Sequence, residues 1–194
     1  MVQFKKWEMQ IAEALIHSCK KNDAKAQKRL YMLLLPYLRA IVNRYLRDTS
    51  YEKDALQESF VKIFKTINSF DQKKGEMKSW AARITINTCL NLNKRLIGQP
   101  TEELKSVEFI QDTGSNIKVV DEEGILLKIL KVMPPDYSAV FNLFIIDGYD
   151  HQEIAEILSI EPALSRKRLS RARDWMRRNG PNYNSIFNGK KEII

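Results

Sequence analysis

The chain has 194 residues, of which 44% are hydrophobic and 29% charged, which suits one medium or two small domains and excludes disorder throughout. Its net charge of +8 favours an anionic partner (nucleic acid, an acidic protein or a membrane surface) over a basic surface kept only for solubility. Cys19 and Cys89 form no C-x-x-C pair and His17 is far from His151, so we expect no metal site and no cofactor, and two buried or half-buried thiols.

The N-terminal sequence and the overall hydropathy predict a cytoplasmic protein without membrane insertion. The first ten residues, MVQFKKWEMQ, lack the apolar core of a signal peptide. No run approaches the roughly 18 apolar residues of a membrane span. Unpaired cysteines also fit a reducing cytosol.

The first two predicted helices span about residues 7–20 and 24–47 and are separated by a break at Asn22 and Asp23. Apolar residues recur along both at helical spacing. Pro36 lies inside the second run, where we expect a kink and not an end.

The third predicted helix begins near Ser50, where Thr49 and Glu52 match the S/T-x-x-E capping box. Its apolar stripe has spacings of three and four and consists of Leu56, Phe60, Ile63, Phe64 and Ile67. The opposite face presents Asp54, Gln57, Glu58, Val61 and Lys62. By itself this is an ordinary exposed face.

A basic loop with Gly75 as its hinge precedes a fourth predicted helix over about 77–95. The apolar side of that helix holds Met77, Trp80, Ala81 and Ile84, and its polar side holds Arg83, Asn87, Asn91, Lys94 and Arg95. An aromatic ring beside cations and amides is what unstacked bases require. Trp80 also lies on the apolar stripe, so a role in the core stays open.

Composition changes at residues 97–123, which contain Gly, Pro and Ser breakers and seven carboxylates against two lysines. We interpret this stretch as an acidic, flexible linker. The predicted organisation is therefore all-α, with two small helical domains: one over 1–96, a linker over 97–121, a second domain over 122–180 and a loose tail over 181–194.

Helices resume at about 122–132, 136–146, 150–158 and 162–178. The last two, separated by a short turn, describe a helix-turn-helix, and Pro162 suits the first position of the second helix. That helix carries seven cations against one carboxylate, and we expect its inward row to be Ser165, Leu169, Ala172 and Met176. A helix fits the major groove of DNA, so this charge predicts that the helix binds DNA. On an ordinary solvent-exposed helix the charges would more often alternate in sign.

The order of three motifs resembles the sigma-70 family of RNA polymerase sigma factors, in the short extracytoplasmic-function group that has only regions two and four. The motifs are DALQESFVKIF, then FDQKKGEMKSWAARITIN, then LLKILKVMPPDYSAVFNLFIIDGYDHQEIAEILSIEPALSRKRLSRAR. The resemblance spans roughly residues 10–178 and implies a transcription initiation factor, not an enzyme, that binds core RNA polymerase, directs it to specific promoters and promotes DNA melting.

The resemblance also implies the site residues and partners. The polymerase-binding face, toward the β′ clamp, is Asp54, Gln57, Glu58 and Val61. The residues for the minus-ten element are Phe70, Lys73, Lys74, Lys78, Trp80, Arg83 and Asn87. Those for the minus-35 element are Arg166, Lys167, Ser170, Arg171 and Arg173. The implied partners are core polymerase (β′ and β subunits) and promoter DNA, with no small-molecule substrate; many family members also have an anti-sigma factor that covers these surfaces.

The chain departs from the family pattern at several positions. Ser159 occupies a turn where the family usually has Gly, and Leu164 with Ser165 replaces a common Thr-Val. Ile86 replaces a frequent Arg and Asn91 a frequent Asp. These changes concern the packing of the recognition helix and the promoter sequence that is read.

Three other functions are weighed against this one. A stand-alone helix-turn-helix regulator would bind a palindrome as a dimer without polymerase, but nothing in residues 1–96 resembles a sensing pocket. An enzyme acting on nucleic acid would need clustered carboxylates or a His/Cys ligand set, and neither is visible in the sequence. An adaptor that only binds proteins would leave the charged helix unexplained.

Overall fold

The computed structural model describes residues 13–97 and 122–179. Within these two ranges the regular elements are all helical, which confirms the predicted all-α class. The predicted helical start at 7–12, residues 98–121 of the linker predicted over 97–121, and the tail over 181–194 lie outside them, whereas Ile97 is the last residue of a helix. The α-helices are α1 Glu13–Lys20, α2 Ala24–Tyr45, α3 Glu52–Thr66, α4 Met77–Ile97, α5 Glu122–Val132, α6 Pro135–Phe141, α7 His151–Leu158 and α8 Pro162–Asn179.

The chain forms two compact units that part between Lys94 and Arg95. No helix in the part that the structure describes is both long and apolar enough to cross a membrane.

The break between α1 and α2 lies where the sequence predicts it. Asn22 has a positive φ of 61°, a conformation that Asn tolerates better than most residues. The Asp23 side chain then accepts hydrogen bonds from the backbone N–H groups of Lys25 and Ala26, at 2.8 and 3.1 Å, and so caps α2. The helix continues through Pro36 to Tyr45, which confirms that the proline does not end it.

Helical conformation begins next to Ser50, as predicted, but the predicted capping box is wrong. Asp48, and not Thr49, supplies the cap: its carboxylate accepts from the backbone N–H of Ser50 at 2.9 Å and opens a 3-10 turn at Thr49–Tyr51. α3 begins only at Glu52, whose carboxylate pairs with Nε of Arg39 on α2 at 2.9 Å. The capping box fails because a stronger acceptor stands one residue earlier and an arginine from another helix engages the glutamate.

The N-terminal unit is held together by an apolar core and by one buried amide. α1 packs on α2, and α2 on α3, around side chains that include Leu30, Leu34, Leu38, Ile41, Phe60 and Ile63. At the end of α2, Asn93 of α4 donates from Nδ2 to the carbonyl of Tyr45 at 2.8 Å and accepts from the N–H of Arg47 at 3.2 Å. This pair of bonds fixes where α4 lies against α2.

In the C-terminal unit, α6 and α7 both pack on α8. The helix predicted over 136–146 is regular only as far as Phe141 and widens into a π-helical segment at Asn142–Ile146, where the N–H of Asp147 bonds to the carbonyl of Asn142 at 3.0 Å. α7 opens with a complete capping box between Asp150 and Glu153, which sequence reasoning did not identify.

Candidate polymerase and nucleic-acid interfaces

The outer face of α3 presents the polymerase-binding candidates together. Asp54, Gln57 and Val61 are exposed, Val61 at 45%. Glu58 is half-buried and accepts from Nζ of Lys62 at 2.8 Å, and the same Nζ donates to Oγ1 of Thr88 on α4 at 3.2 Å. The result is an acidic and amide surface with one apolar side chain in it, fixed at one edge to the neighbouring helix.

The loop between α3 and α4 is anchored at both ends by buried apolar side chains, Phe70 and Met77. Phe70 is only 4% exposed, its ring centroid lies 5.4 Å from that of Trp80, and its carbonyl accepts from Nζ of Lys20 at 2.7 Å. Of the residues assigned to the minus-ten element, Phe70 therefore lies beneath the surface in this structure. The burial of Phe70 could have been predicted from the sequence, because Phe70 continues the buried stripe of Phe60, Ile63 and Ile67 at helical spacing.

Between its anchors the loop presents cations. The carboxylate of Asp71 accepts from the N–H of Lys73 at 2.9 Å, and its carbonyl from the N–H of Lys74 at 3.0 Å. This turn leaves both lysine side chains exposed.

A cleft of about 330 Å³ lies between the loop and α1, lined by Glu13, Ile16, His17, Lys20, Phe70, Asp71, Gln72 and Lys73. Sequence reasoning missed the contribution of α1, which no local pattern reveals.

The polar stripe of α4 continues from this loop. Trp80, Arg83 and Asn87 follow one another at spacings of three and four, so they share one face of the helix. Arg83 is exposed, whereas Trp80 and Asn87 are half-buried, as is Lys78. The ring of Trp80 packs against that of Phe70, as the core role predicts, and part of the side chain remains accessible.

α8 has the two faces that the sequence predicts. The inward row of Ser165, Leu169, Ala172 and Met176 is buried, as expected. Among the minus-35 candidates, Arg166, Lys167, Ser170 and Arg171 are exposed and Arg173 is half-buried.

Two of the seven cations of α8 pair with acidic side chains of the same unit. Arg168 bonds to the carboxylate of Asp136 at the start of α6, at 2.7 Å. Arg177 pairs with Asp174 one turn before it. Arg168 therefore lies toward α6, whereas Arg166, Lys167 and Arg171 leave an exposed basic surface over the first turns of α8.

The turn between α7 and α8 is fixed by Ser159 and Ser165. Ser159 has a φ of 54° and a ψ of 53°, the left-handed conformation that explains why glycine is common there. Ser165 is fully buried, and its Oγ lies 2.9 Å from Nδ1 of His151 at the start of α7. The ring of His151 in turn stacks on Phe144, with centroids 4.6 Å apart.

The surroundings of His151 disfavour its charged form. Burial lowers its pKa first, and the nearby cation Arg166 lowers it further, whereas Asp150 acts in the opposite direction and Arg173 adds a smaller lowering. The neutral form of the imidazole is therefore favoured next to the basic surface of α8.

Both thiols are buried, as the sequence predicts. Burial raises the pKa of Cys89 to about 12, and burial followed by the charge of Asp23 raises that of Cys19. A protonated, inaccessible thiol is a poor nucleophile and a poor metal ligand. Within residues 13–97 and 122–179, no three His, Cys, Asp or Glu side chains come close enough to hold a metal ion.

Comparison with known families gives two matches in the same chain. The model of sigma-70 region 2 matches residues 30–96, and that of sigma-70 region 4 matches residues 123–176. Together they span more than half of the chain, and they fall on the unit that contains α3 and α4 and on the unit that contains α8.

Curated relatives are similar over most of their length. An ECF RNA polymerase sigma-E factor of Haemophilus influenzae is 26% identical over 84% of this chain and 92% of its own. Those of Salmonella typhimurium and Escherichia coli strain K12 are 25% and 24% identical over 84% of this chain and 90% of theirs.

Two solved structures share the fold. The sigma factor RpoE of Bartonella quintana, crystallised with the anti-sigma factor NepR, has a TM-score of 0.55 and 18% identity over 84% of this chain and 98% of its own. CnrH, in complex with the cytosolic domain of CnrY, has a TM-score of 0.52 and 16% identity over 93% of this chain and 99% of its own.

Proposed function

Because the chain belongs to the extracytoplasmic-function group of the sigma-70 family, we propose that it binds core RNA polymerase, directs it to specific promoters and promotes melting of the DNA there. The central support is that region 2 and region 4 match the same chain in that order. A polymerase-binding unit and a duplex-binding unit on one chain are what promoter selection requires.

We assign the polymerase contact to the outer face of α3. Asp54, Gln57, Glu58 and Val61 lie together there, and in this assignment they bind the clamp of the β′ subunit. Carboxylate and amide groups around one apolar side chain suit a polar interface with a small apolar centre.

We assign the minus-ten element to the loop before α4 and to the stripe along α4. Lys73, Lys74 and Lys78 neutralise phosphate, and Trp80, Arg83 and Asn87 contact the unstacked strand. Phe70 supports the loop from below. Unstacking costs a few kilocalories per mole per step, and stacking each extruded base on an aromatic side chain returns about 1–3 kcal/mol, so capture of bases by this surface offsets the cost of melting.

We assign the minus-35 element to the exposed face of α8. In this assignment the element is read as duplex DNA, and α8 lies in its major groove. Arg166, Lys167, Ser170 and Arg171 lie on its first turns, where recognition helices contact bases, and Arg173 lies further along. The net charge of +8 supports electrostatic attraction to DNA over a longer range.

The family consists of transcription factors without catalytic activity, and we propose the same for this chain, acting in the cytoplasm. The two similar structures described above are complexes, one of them with a named anti-sigma factor, and we propose an anti-sigma factor as a regulatory partner here too. A stand-alone regulator fits less well, because residues 30–96 match sigma-70 region 2, which such a regulator would not require.

Reconstitution tests this function. The purified chain is mixed with core RNA polymerase, the holoenzyme is isolated by size exclusion, and run-off transcription is measured on promoters selected from a random library. We expect specific transcripts only when core and chain are both present. Selection of a palindrome bound tightly by the chain without core would instead identify a stand-alone regulator.

A further inference from the structure

An apolar side chain stands on the exposed basic surface of α8. Leu164 is 37% exposed and precedes the cations Arg166 and Lys167 on the first turn of the helix. Leu164, Lys167 and Arg171 are spaced by three and four, so their side chains form one row along the helix. A leucine here adds no charge and does not enter the buried core.

The rotation of α8 about its own axis is fixed, so the direction of Leu164 is fixed as well. The buried row from Ser165 to Met176 faces the unit, and the bond between Ser165 and His151 at 2.9 Å holds the first turn. On the flank, Arg168 is tied to Asp136 at 2.7 Å. Leu164 lies next to the anchored Ser165 and outside this buried row.

The chemistry of the major groove determines what such a side chain can recognise. A leucine can neither hydrogen-bond a base edge nor neutralise phosphate, and placing it against phosphate would remove water from a charge without compensation. The one apolar group that distinguishes a base pair in the major groove is the C5-methyl of thymine. We propose that Leu164 packs against a thymine methyl and makes the protein select a T:A pair at one position of the upstream promoter element.

This proposal rests on the proposed function, since it requires α8 to lie in the major groove. Isolated exposed leucines are common on protein surfaces, so the test must distinguish a methyl contact from ordinary surface exposure. Uracil provides that distinction, because it pairs as thymine does and lacks only the methyl group.

The experiment uses the full chain bound to core RNA polymerase and the upstream element selected from a random library. Each thymine of both strands is replaced in turn by deoxyuridine, and the affinity of the holoenzyme is measured. We expect one position at which the change weakens wild-type binding about fourfold, the effect of exposing roughly one methylene-sized group to water. The Leu164→Ala holoenzyme should bind the thymine element more weakly and show no further loss at that position.

Val132→Ala is the matched control, since Val132 is 38% exposed on α5 and lies outside α8; it should keep the wild-type response to uracil. The proposal is overturned if Leu164→Ala responds to uracil as the wild type does, if the wild type responds at no position, or if the selected element has no T:A pair. Failure of the proposed function is a different result, in which the wild-type chain does not bind core or does not distinguish the selected element from a scrambled one.

Discussion

Ser165 shows how a single residue can be misjudged from sequence. In place of the valine common in the family, a serine in the inward row predicts a loosely packed recognition helix. In the structure its hydroxyl is buried against Nδ1 of His151, and a buried hydroxyl that would cost about 1–3 kcal/mol if unpaired has a partner. Ser165 and His151 therefore act as a pair that joins the starts of α7 and α8.

The same pair predicts a pH dependence of stability. The folded state holds the pKa of His151 below its ordinary value, so the unfolded chain binds a proton more readily. Stability should be complete above the ordinary histidine pKa of about 6.5, should fall as the pH drops through it, and should level off below the folded pKa.

Urea unfolding followed by the fluorescence of Trp175, with the other two tryptophans replaced by Phe, measures this loss between pH 7.5 and pH 5.5. His151→Gln should reduce the loss, whereas His17→Gln should keep it because His151 is still present. Equal losses in the wild type and in His151→Gln would show that the histidine is not the cause.

Two arginines on α8 should have different effects on binding. Arg166 lies on the first turns, where side chains reach base edges, and a bidentate contact to guanine contributes about 1–3 kcal/mol of discrimination. Arg166→Ala should weaken holoenzyme binding mainly on the matched upstream element. Arg177→Ala, near the end of the helix, should weaken all sequences alike and reduce the salt slope by about one unit. Equal losses on matched and scrambled elements for both variants would make α8 an electrostatic clamp only.

At the scale of elements, α3 has two surfaces with different tasks. Its inner side buries Leu56, Phe60 and Ile63, which hold it in the core. Its outer side is largely exposed, and a bridge from Glu58 through Lys62 to Thr88 ties it to α4. A surface of this kind can specialise for a partner because its residues contribute little to stability.

Charge reversal on this face should separate binding from folding. Asp54→Arg with Glu58→Arg should abolish holoenzyme formation, measured by co-elution with core polymerase. It should cost only about 1 kcal/mol of stability, from a lost partly buried ion pair and a lost acidic residue at a helix start. Glu13→Arg with Glu76→Arg makes the same change in net charge elsewhere in the unit and should leave assembly intact. Wild-type affinity of the α3 double variant would reject the assignment of this face.

The C-terminal unit shows a second effect at this scale. The helix after α5 was expected to run regularly over 136–146, but it widens at Asn142–Ile146. The wider turn contains Phe144, whose ring stacks on His151. The irregular segment thus supports the residue that anchors α8.

At the scale of the whole molecule, each unit has its own buried core. Leu30, Leu34 and Leu38 lie in the first, and Phe141, Ile154 and Leu169 in the second. A sigma factor needs its two units to contact promoter elements that lie apart on the DNA. Separate cores allow the connection between the units to vary without loss of either fold.

Separate expression of residues 1–97 and 122–194 tests this arrangement. Each fragment should be helical by circular dichroism and should unfold cooperatively, because its core is complete. Mixed together, the fragments should support less transcription than the intact chain, since covalent linkage raises the effective concentration of the second unit to the millimolar range. A fragment that is unfolded alone would show that its core depends on the other unit.

The sequence by itself determined where most of the helices lie and which of their faces are buried. Periodicity of 3.6 residues is a local property, so the inward row of α8 and the buried stripe of α3 could be predicted without a structure. The cations of α8 and the break at Asn22 and Asp23 were equally visible, since charge and turn preference belong to the residues themselves.

Only the tertiary structure decided which partners those residues have. Asp48 takes the capping role expected of Thr49, and Lys20 reaches the carbonyl of Phe70 fifty residues away. Ser165 finds His151 across the turn. Contacts such as these depend on how helices pack, and no local pattern records that packing, so the positions that fix the three candidate interfaces became evident only from the fold.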